Sequence, residues 1–448
     1  MELSKVKTII ILMMENRSFD HMLGYRSLPP FNSSDVDGIS QDQAWRDRFA
    51  NWDQNVNYSP YLSTNPYSMP DDFDPPHERN FVEQNLGTLQ NGSYPMTGFV
   101  SAIPDSVSLD PQTRKLVMSH FGAEQVPITH FLADNFCICD RWFCSLPAGT
   151  QPNRLMFMSG FSLIDYNQTP LHNQELVYDW LTQHNVSWRV YHQGLPFFAM
   201  MPKWVRLVLF DSQFRNFADF EGDVINTPPD DMPQVIFVEP TYGDAPHVGH
   251  SSDDHAPSGV ADGQEFLMQV YSAVTASPSF WRSSVLIVNY DEGGGFFDHV
   301  SPPLVKTEPP QPGLYKPFDS LGVRVPAYVV SPFVERGSVS HTILDHTSVL
   351  KLLGEKFDRD GSYSPLVDTR PVGSVSDILR DVQPTIDPPA APSVHEYLNS
   401  RPSASSTVVT RPRLTTPLQH AFANCTKEMG KCGAGPDHDR FGALLEDA

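Results

Sequence analysis

The sequence predicts an α/β fold: a three-layer sandwich in which helices cover both faces of a mostly parallel central sheet. Three observations predict it. Short, unbroken apolar runs rich in β-branched residues recur along the chain. Helical patterns separate them, as in doubly wound sheets. The runs carry no polar alternation, which fits strands covered on both faces.

The first run spans residues 6–14 and includes Thr8-Ile9-Ile10-Ile11-Leu12-Met13-Met14. Further strands are expected at 187–191, 234–238, 285–290 and 324–330, with helical patterns at 175–184, 261–276 and 346–357. Residues 30–110, rich in Pro, Ser, Asn and Asp, read as a loop-rich insertion near the site. Residues 362–448 lack strand–helix alternation and read as a C-terminal appendage wrapping a catalytic domain over residues 1–361.

Composition bounds the function. With 448 residues, 40% hydrophobic, and 28 Phe, 15 Tyr and 7 Trp, the chain can bury a large core, which excludes global disorder. The formal charge, 31 − 53 = −22, argues against binding to nucleic acid or to anionic lipid. The N-terminal apolar run is too short for a signal peptide, and no run reaches the roughly 18 apolar residues of a membrane span. The expectation is a soluble protein, cytoplasmic or exported without a cleaved leader. Cys137, Cys139 and Cys144 lie among Phe, Ile and Trp residues and read as buried apolar thiols rather than metal ligands. A Cys425–Cys432 bridge stays open.

In such sheets the active site forms beyond the C-terminal strand ends. Glu15-Asn16-Arg17 follows the first strand, and Asp291-Glu292 follows the strand ending at Tyr290. Two strands delivering acidic pairs to one edge suit one hard or borderline divalent cation, with Ca, Mg, Mn, Zn and Fe all allowed. A hydroxyl facing that cation becomes a nucleophile. Thr150, between Gly149 and Pro152 where a helix opens near Asn153, is the candidate; a plain helix N-cap is the rival reading.

Several ordered motifs then resemble one family. Met13-Met14-Glu15-Asn16-Arg17-Ser18-Phe19-Asp20-His21 is similar to the N-terminal signature of the phosphoesterase family of bacterial and plant phospholipases C and acid phosphatases, which has an alkaline-phosphatase-like core. Ala133-Asp134-Asn135-Phe136, Pro152-Asn153-Arg154, Asp253-Asp254-His255-Ala256-Pro257, Asp291-Glu292 and Asp345-His346-Thr347 continue the likeness. The resemblance implies Glu15, Asn16, Thr150, Asp291 and Glu292 as metal ligands, and Thr150 as the nucleophile of a phospho-threonine mechanism. It implies that His255 touches the phosphoryl group, and that His77 and His192 match two further phosphate-site histidines. Asn16, His299 and His346 join the expected substrate-contact set. One position departs from the family: Gly293 stands where Asp-Glu-His-Gly-Gly has its histidine. Either His299 takes over that role or the pocket is wider.

The reading is therefore a metal-dependent hydrolase of phosphodiesters such as phosphatidylcholine. An acid phosphatase acting on monoesters is the first rival, and an effector that kept the fold without catalysis is the second. The expected partner is a phospholipid or small phosphate ester, with peripheral membrane contact allowed and nucleic acid excluded. His21 and Arg17 read as supports of the first motif, and His247 and His250 as loop histidines.

Overall fold

A computed structural model describes residues 2–69, 73–108, 110–381, 387–399, 409–435, 438 and 440–445. An eight-stranded sheet runs through its centre. In chain order its strands are β1 (Thr8–Met14), β2 (Cys137–Cys139), β3 (Trp188–His192), β4 (Phe214–Asn216), β5 (Val235–Glu239), β6 (Ser284–Tyr290), β7 (Ala327–Val330) and β8 (Val339–Ser340). Their spatial order is β8-β2-β7-β6-β1-β5-β3-β4. Only β7 runs against its neighbours; all the other pairings are parallel.

The expected runs at 6–14, 187–191, 234–238 and 285–290 are parallel strands of this sheet, and the run at 324–330 supplies antiparallel β7. β7 begins only after Pro326, which has no N–H to give a ladder. β2, β4 and β8, of two or three residues each, escaped the sequence reading because their periods are too short to detect. Every residue of β1 and β6 is buried, so both faces of the sheet are covered.

The covering helices include α1 (Thr150–Ser159), α2 (Val177–Gln183), α3 (Ala261–Thr275), α4 (Thr347–Phe357) and α5 (Pro417–Lys431). α1 packs on α2 and α4, while α3 packs with helices Pro127–Asn135 and Phe220–Asn226. Cys137, Cys139 and Cys144 are buried, and Cys425 and Cys432 are both free.

The insertion builds a satellite core of Phe49, Tyr58, Val82, Phe99, Met118 and Phe297. The C-terminal residues behave differently. Val375, Leu418, Phe422, Met429 and Phe441 belong to the same apolar cluster as β1 and β6. Among the described residues, no helix is long and apolar enough to cross a membrane.

Candidate active site

β1 and β6 lie side by side with Met14 opposite Tyr290, so the residues that follow each strand emerge together. Asn16 takes a left-handed conformation (φ 59°), and its N–H donates to Asp291 Oδ1 at 3.0 Å. Asp291 Oδ1 also accepts from the Glu292 N–H at 2.7 Å. Gly294 closes this corner. A Cβ there would sit 2.1 Å from the Asn16 carbonyl oxygen, so only glycine allows the two loops to approach.

Thr150 is the first residue of α1, and Gly149 is the N-cap. The helix therefore starts three residues earlier than the sequence reading placed it, and Thr150 is not its cap. The buried hydroxyl donates to Asn16 Oδ1 at 3.5 Å. Asn153 fixes the turn before it, donating to the Leu146, Ala148 and Gly149 carbonyls. Arg154, one turn after Thr150, faces the same carboxylates. Its Nε donates to Asp291 Oδ2 at 3.2 Å, and its Nη2 lies 3.4 Å from Glu15 Oε1.

The insertion delivers Asp74 and His77. A Cβ on Gly295 would lie 2.8 Å from Pro75 Cβ, so this glycine lets the 75–77 loop settle on the acidic corner. His77 Nε2 lies 3.4 Å from Asn16 Nδ2, and its Nδ1 lies 2.7 Å from the Pro75 carbonyl. His255 faces it with ring centroids 5.4 Å apart. The His255 Nδ1 lies 3.1 Å from Asp244 and 3.5 Å from Glu15. Its Nε2 lies 3.5 Å from Asp74. Arg17 holds the loop that carries His255 by donating to the Asp254 and Ser258 carbonyls.

The charges are poorly balanced. Burial, reinforced by Asp291 and only partly offset by His77, pushes Glu292 up to about 8. Burial and the Glu15 charge push Asp253 up to about 8 as well. Burial pulls His77 down, but Glu292 and Asp74 outweigh it and hold the imidazole up at about 9. Asp244 and Asp74 likewise lift His255 against burial.

A divalent cation fits these residues. Both Glu15 carboxylate oxygens and Glu292 Oε1 are buried without a hydrogen-bond partner. Such oxygens are costly to bury unless something positive meets them. Two groups of three ligand atoms lie here, Asp74–His77–His255 and Glu15–Asp253–His255, each within 4.8 Å. Of the expected ligands only Glu15 belongs to these groups, which mix carboxylate oxygens with imidazole nitrogens and so suit a borderline metal.

The structure does not bring all the expected residues to this corner. His299 joins a different cluster, with Nδ1 at 2.7 Å from Asp20 and Nε2 at 3.0 Å from Asp37. It does not take over the role of the missing histidine at 293. A Cβ on Gly293 would meet Val323 Cγ1 at 3.2 Å, a tight contact with a side chain of the satellite core. His346 lies beneath the site rather than in it: its Nε2 is 2.6 Å from the Asp291 carbonyl, and burial pulls its ring down to about 4. That places a neutral ring donating to the Asp291 backbone. His192 ends β3, with Nδ1 against the Gly194 carbonyl at 2.8 Å and its ring stacked on Phe441.

Arg154, Asp74, Asp244 and Tyr242 were missed as participants. Arg154 carried a signal in its spacing from Thr150. Asp74 and Asp244 carried none, since only loop packing brings them to His255.

Fold and corner together define an α/β protein with a cation-type acidic centre at the C-terminal edge of a parallel sheet and a hydroxyl at a helix start. The chain belongs to the phosphoesterase family, whose model matches residues 6–359. Non-specific phospholipase C1 of Arabidopsis thaliana is 34% identical over 357 residues, covering 75% of this chain and 62% of that protein. Non-specific phospholipase C3 of the same plant is 33% identical, covering 75% and 65%. Phospholipase C B of Mycobacterium tuberculosis is 28% identical, covering 79% and 74%. The chain thus spans less than two thirds of the length of the two plant relatives. A solved protein of the alkaline phosphatase superfamily from Vibrio parahaemolyticus aligns at 11% identity and TM-score 0.34, covering 56% of this chain and 64% of that one. A likeness that low adds nothing to what the strand order shows.

Proposed function

We propose that the chain is a metal-dependent phosphoesterase of the phospholipase C type. It cleaves a phosphodiester such as phosphatidylcholine into diacylglycerol and the phosphorylated head group. The observation that carries this reading is the meeting of the Thr150 hydroxyl with Asn16, beside Glu15 and the Asp291–Glu292 pair, where three buried carboxylate oxygens make no hydrogen bond. Family membership and the phospholipase C relatives support the same class of chemistry.

Glu15, Asn16, Thr150, Asp291 and Glu292 would hold one divalent ion. Bound there, it would supply Lewis acidity to the hydroxyl and to the phosphoryl charge. Thr150 Oγ1 attacks phosphorus in line; the Thr150–phosphorus bond forms and the bond to the diacylglycerol oxygen breaks. The threonine proton ends on the departing alcohol. Water then breaks the Thr150–phosphorus bond, releases the phosphorylated head group and restores the hydroxyl. His77 and His255, whose rings face each other at the corner, are the imidazole donors for the phosphoryl oxygens as charge builds on them. The surface charge of −22 disfavours polyanionic substrates.

Lipid contact is assigned to the insertion that carries His77, where Trp52, Val56 and Leu62 are 57%, 45% and 50% exposed. Trp52→Ser is expected to lower turnover of phosphatidylcholine vesicles by about fivefold while leaving a water-dissolved reporter unchanged.

The deciding experiment compares p-nitrophenyl phosphorylcholine with p-nitrophenyl phosphate in the metal-loaded protein. Preference for the diester is expected. Preference for the monoester would make the chain an acid phosphatase instead, and turnover of neither would leave it a non-catalytic relative.

A further inference from the structure

The C-terminal helix α5 touches the groups that hold the acidic corner together. Arg154 bridges the two acidic strands, reaching Asp291 Oδ2, Glu15 Oε1 and the Met14 carbonyl. Its guanidinium packs against two rings, with Cζ 4.5 Å from the Phe197 centroid and 5.0 Å from that of Tyr242, and the two rings meet each other edge-on at 5.6 Å and 71°. The Tyr242 hydroxyl accepts from Arg154 Nη1 at 3.2 Å. Both rings rest on Phe422 of α5. Phe422 stacks on Tyr242 at 5.8 Å and 28°, and meets Phe197 edge-on at 5.8 Å and 90°.

The other contacts of α5 point the same way. Its first turn is tied to the loop beside Thr150, with Thr169 Oγ1 donating to the Pro417 carbonyl at 2.5 Å. Gln419 Oε1 accepts from the Thr415 and Thr416 N–H groups at 2.8 and 3.2 Å, which fixes the start of the helix. Phe422 is fully buried and lies outside the stretch that the family model matches.

We infer that Phe422 is a positioning residue of the active site: from the C-terminal helix it holds the Phe197–Tyr242 ring pair against Arg154, and Arg154 in turn fixes the spacing of Glu15 and Asp291. A planar, always-charged guanidinium packed against two rings that also brace each other has little rotational freedom, so it sets the distance between the two carboxylates it pairs with. Leucine at 422 keeps apolar volume but offers no flat face to stack on Tyr242. The segment after residue 361 is then part of the catalytic unit rather than a separable wrap. The kinetic consequence rests on the phosphoesterase reading; the structural one does not.

The test compares Phe422→Leu with Met429→Ala, a cavity-forming change at a buried residue two turns further along the same helix. The first readout is hydrogen exchange of the Asn16 and Glu292 amides, both of which donate to Asp291. Exchange about threefold faster in Phe422→Leu than in Met429→Ala is expected, because the clamp loosens locally. The second readout is kinetic: kcat on p-nitrophenyl phosphorylcholine falls about tenfold in Phe422→Leu with KM within about twofold, as expected for a misplaced reacting group. Equal exchange in the two variants would overturn the inference. A wild-type protein that does not turn over the reporter would sink the phosphoesterase reading alone, and the exchange comparison would still decide the role of Phe422.

Discussion

Two buried clusters in this protein are built from the same residue types and behave in opposite ways. One is Asp20, Asp298 and His299, three ligand atoms within 4.8 Å of one another. The other is the corner of Glu15, Asp253 and His255, with Asp291 and Glu292 beside it. In the first, Arg324 donates to both Asp298 Oδ1 and Asp20 Oδ1, at 2.9 and 3.0 Å. The remaining oxygens accept from the Asp20 and His299 backbone N–H groups, so no side-chain atom of the cluster is left without a partner. In the second, one guanidinium serves Glu15 and Asp291, and three oxygens have no hydrogen-bond partner. Acidic and histidine content does not separate a structural ion network from a cation site. What differs between the two clusters is whether each buried oxygen makes a hydrogen bond.

The comparison can be broken at several points. Thr150→Ala should lower kcat on a phosphodiester reporter by about 10³-fold or more, roughly 4 kcal/mol in the barrier, while the unfolding midpoint barely moves. Near-wild-type turnover would mean that the nucleophile lies elsewhere.

Arg324→Met removes the guanidinium that Asp20 and Asp298 share and leaves His299 as the one side-chain partner of Asp20 and none for Asp298. A loss of about 3–5 kcal/mol in chemical denaturation is expected. A loss below about 1 kcal/mol would show that the Arg324 network does not carry the cluster.

The sign should reverse in the other cluster. Glu15→Gln removes like charge from a crowded corner, so in chelator the variant should unfold at or above the wild-type temperature while losing at least about 100-fold in turnover. A divalent ion should then raise the melting temperature of the wild type and leave that of Glu15→Gln nearly unchanged. Equal stabilisation of both proteins would move the metal away from Glu15.

A smaller effect comes from His299. Burial lowers its pKa, but Asp20 and Asp37 outweigh burial and raise it to about 9. The folded protein therefore holds this proton more tightly than the unfolded chain. The stability it contributes is fully present below about pH 6.5, its unfolded value, and is lost as pH rises through about 9. With a shift of that size the loss is at most roughly 3 kcal/mol. Denaturation of wild type and His299→Gln at pH 6 and pH 9.5 would measure it. Parallel pH dependences in the two proteins would refute the assignment.

How much of this was legible in the sequence differs from residue to residue. Glu15, Asn16, Asp291 and Glu292 were legible because each pair directly follows a long, unbroken apolar strand, and neighbouring parallel strands must end at the same edge. Thr150 was legible as a hydroxyl opening a helix, although its place inside the first turn was not. The motif His299 shares with Asp298 suggested the site. Tertiary pairing with Asp20 and Asp37 removed it, because a partner 279 residues away along the chain leaves no periodic trace. His346 kept its place near the site but lies beneath it, supporting the Asp291 carbonyl.

By itself, then, the sequence determined the long strands of the sheet and their acidic edge, since apolar patterning and strand-end chemistry are local properties that survive without knowledge of packing, and its ordered motifs carried the family resemblance. The tertiary structure alone decided which carboxylates are balanced and which are not, that Asp74 and Asp244 meet at His255, and that the C-terminal helix closes on Arg154. Those outcomes depend on which loops and helices come within a few ångströms of one another, and on whether each buried charge finds a partner there.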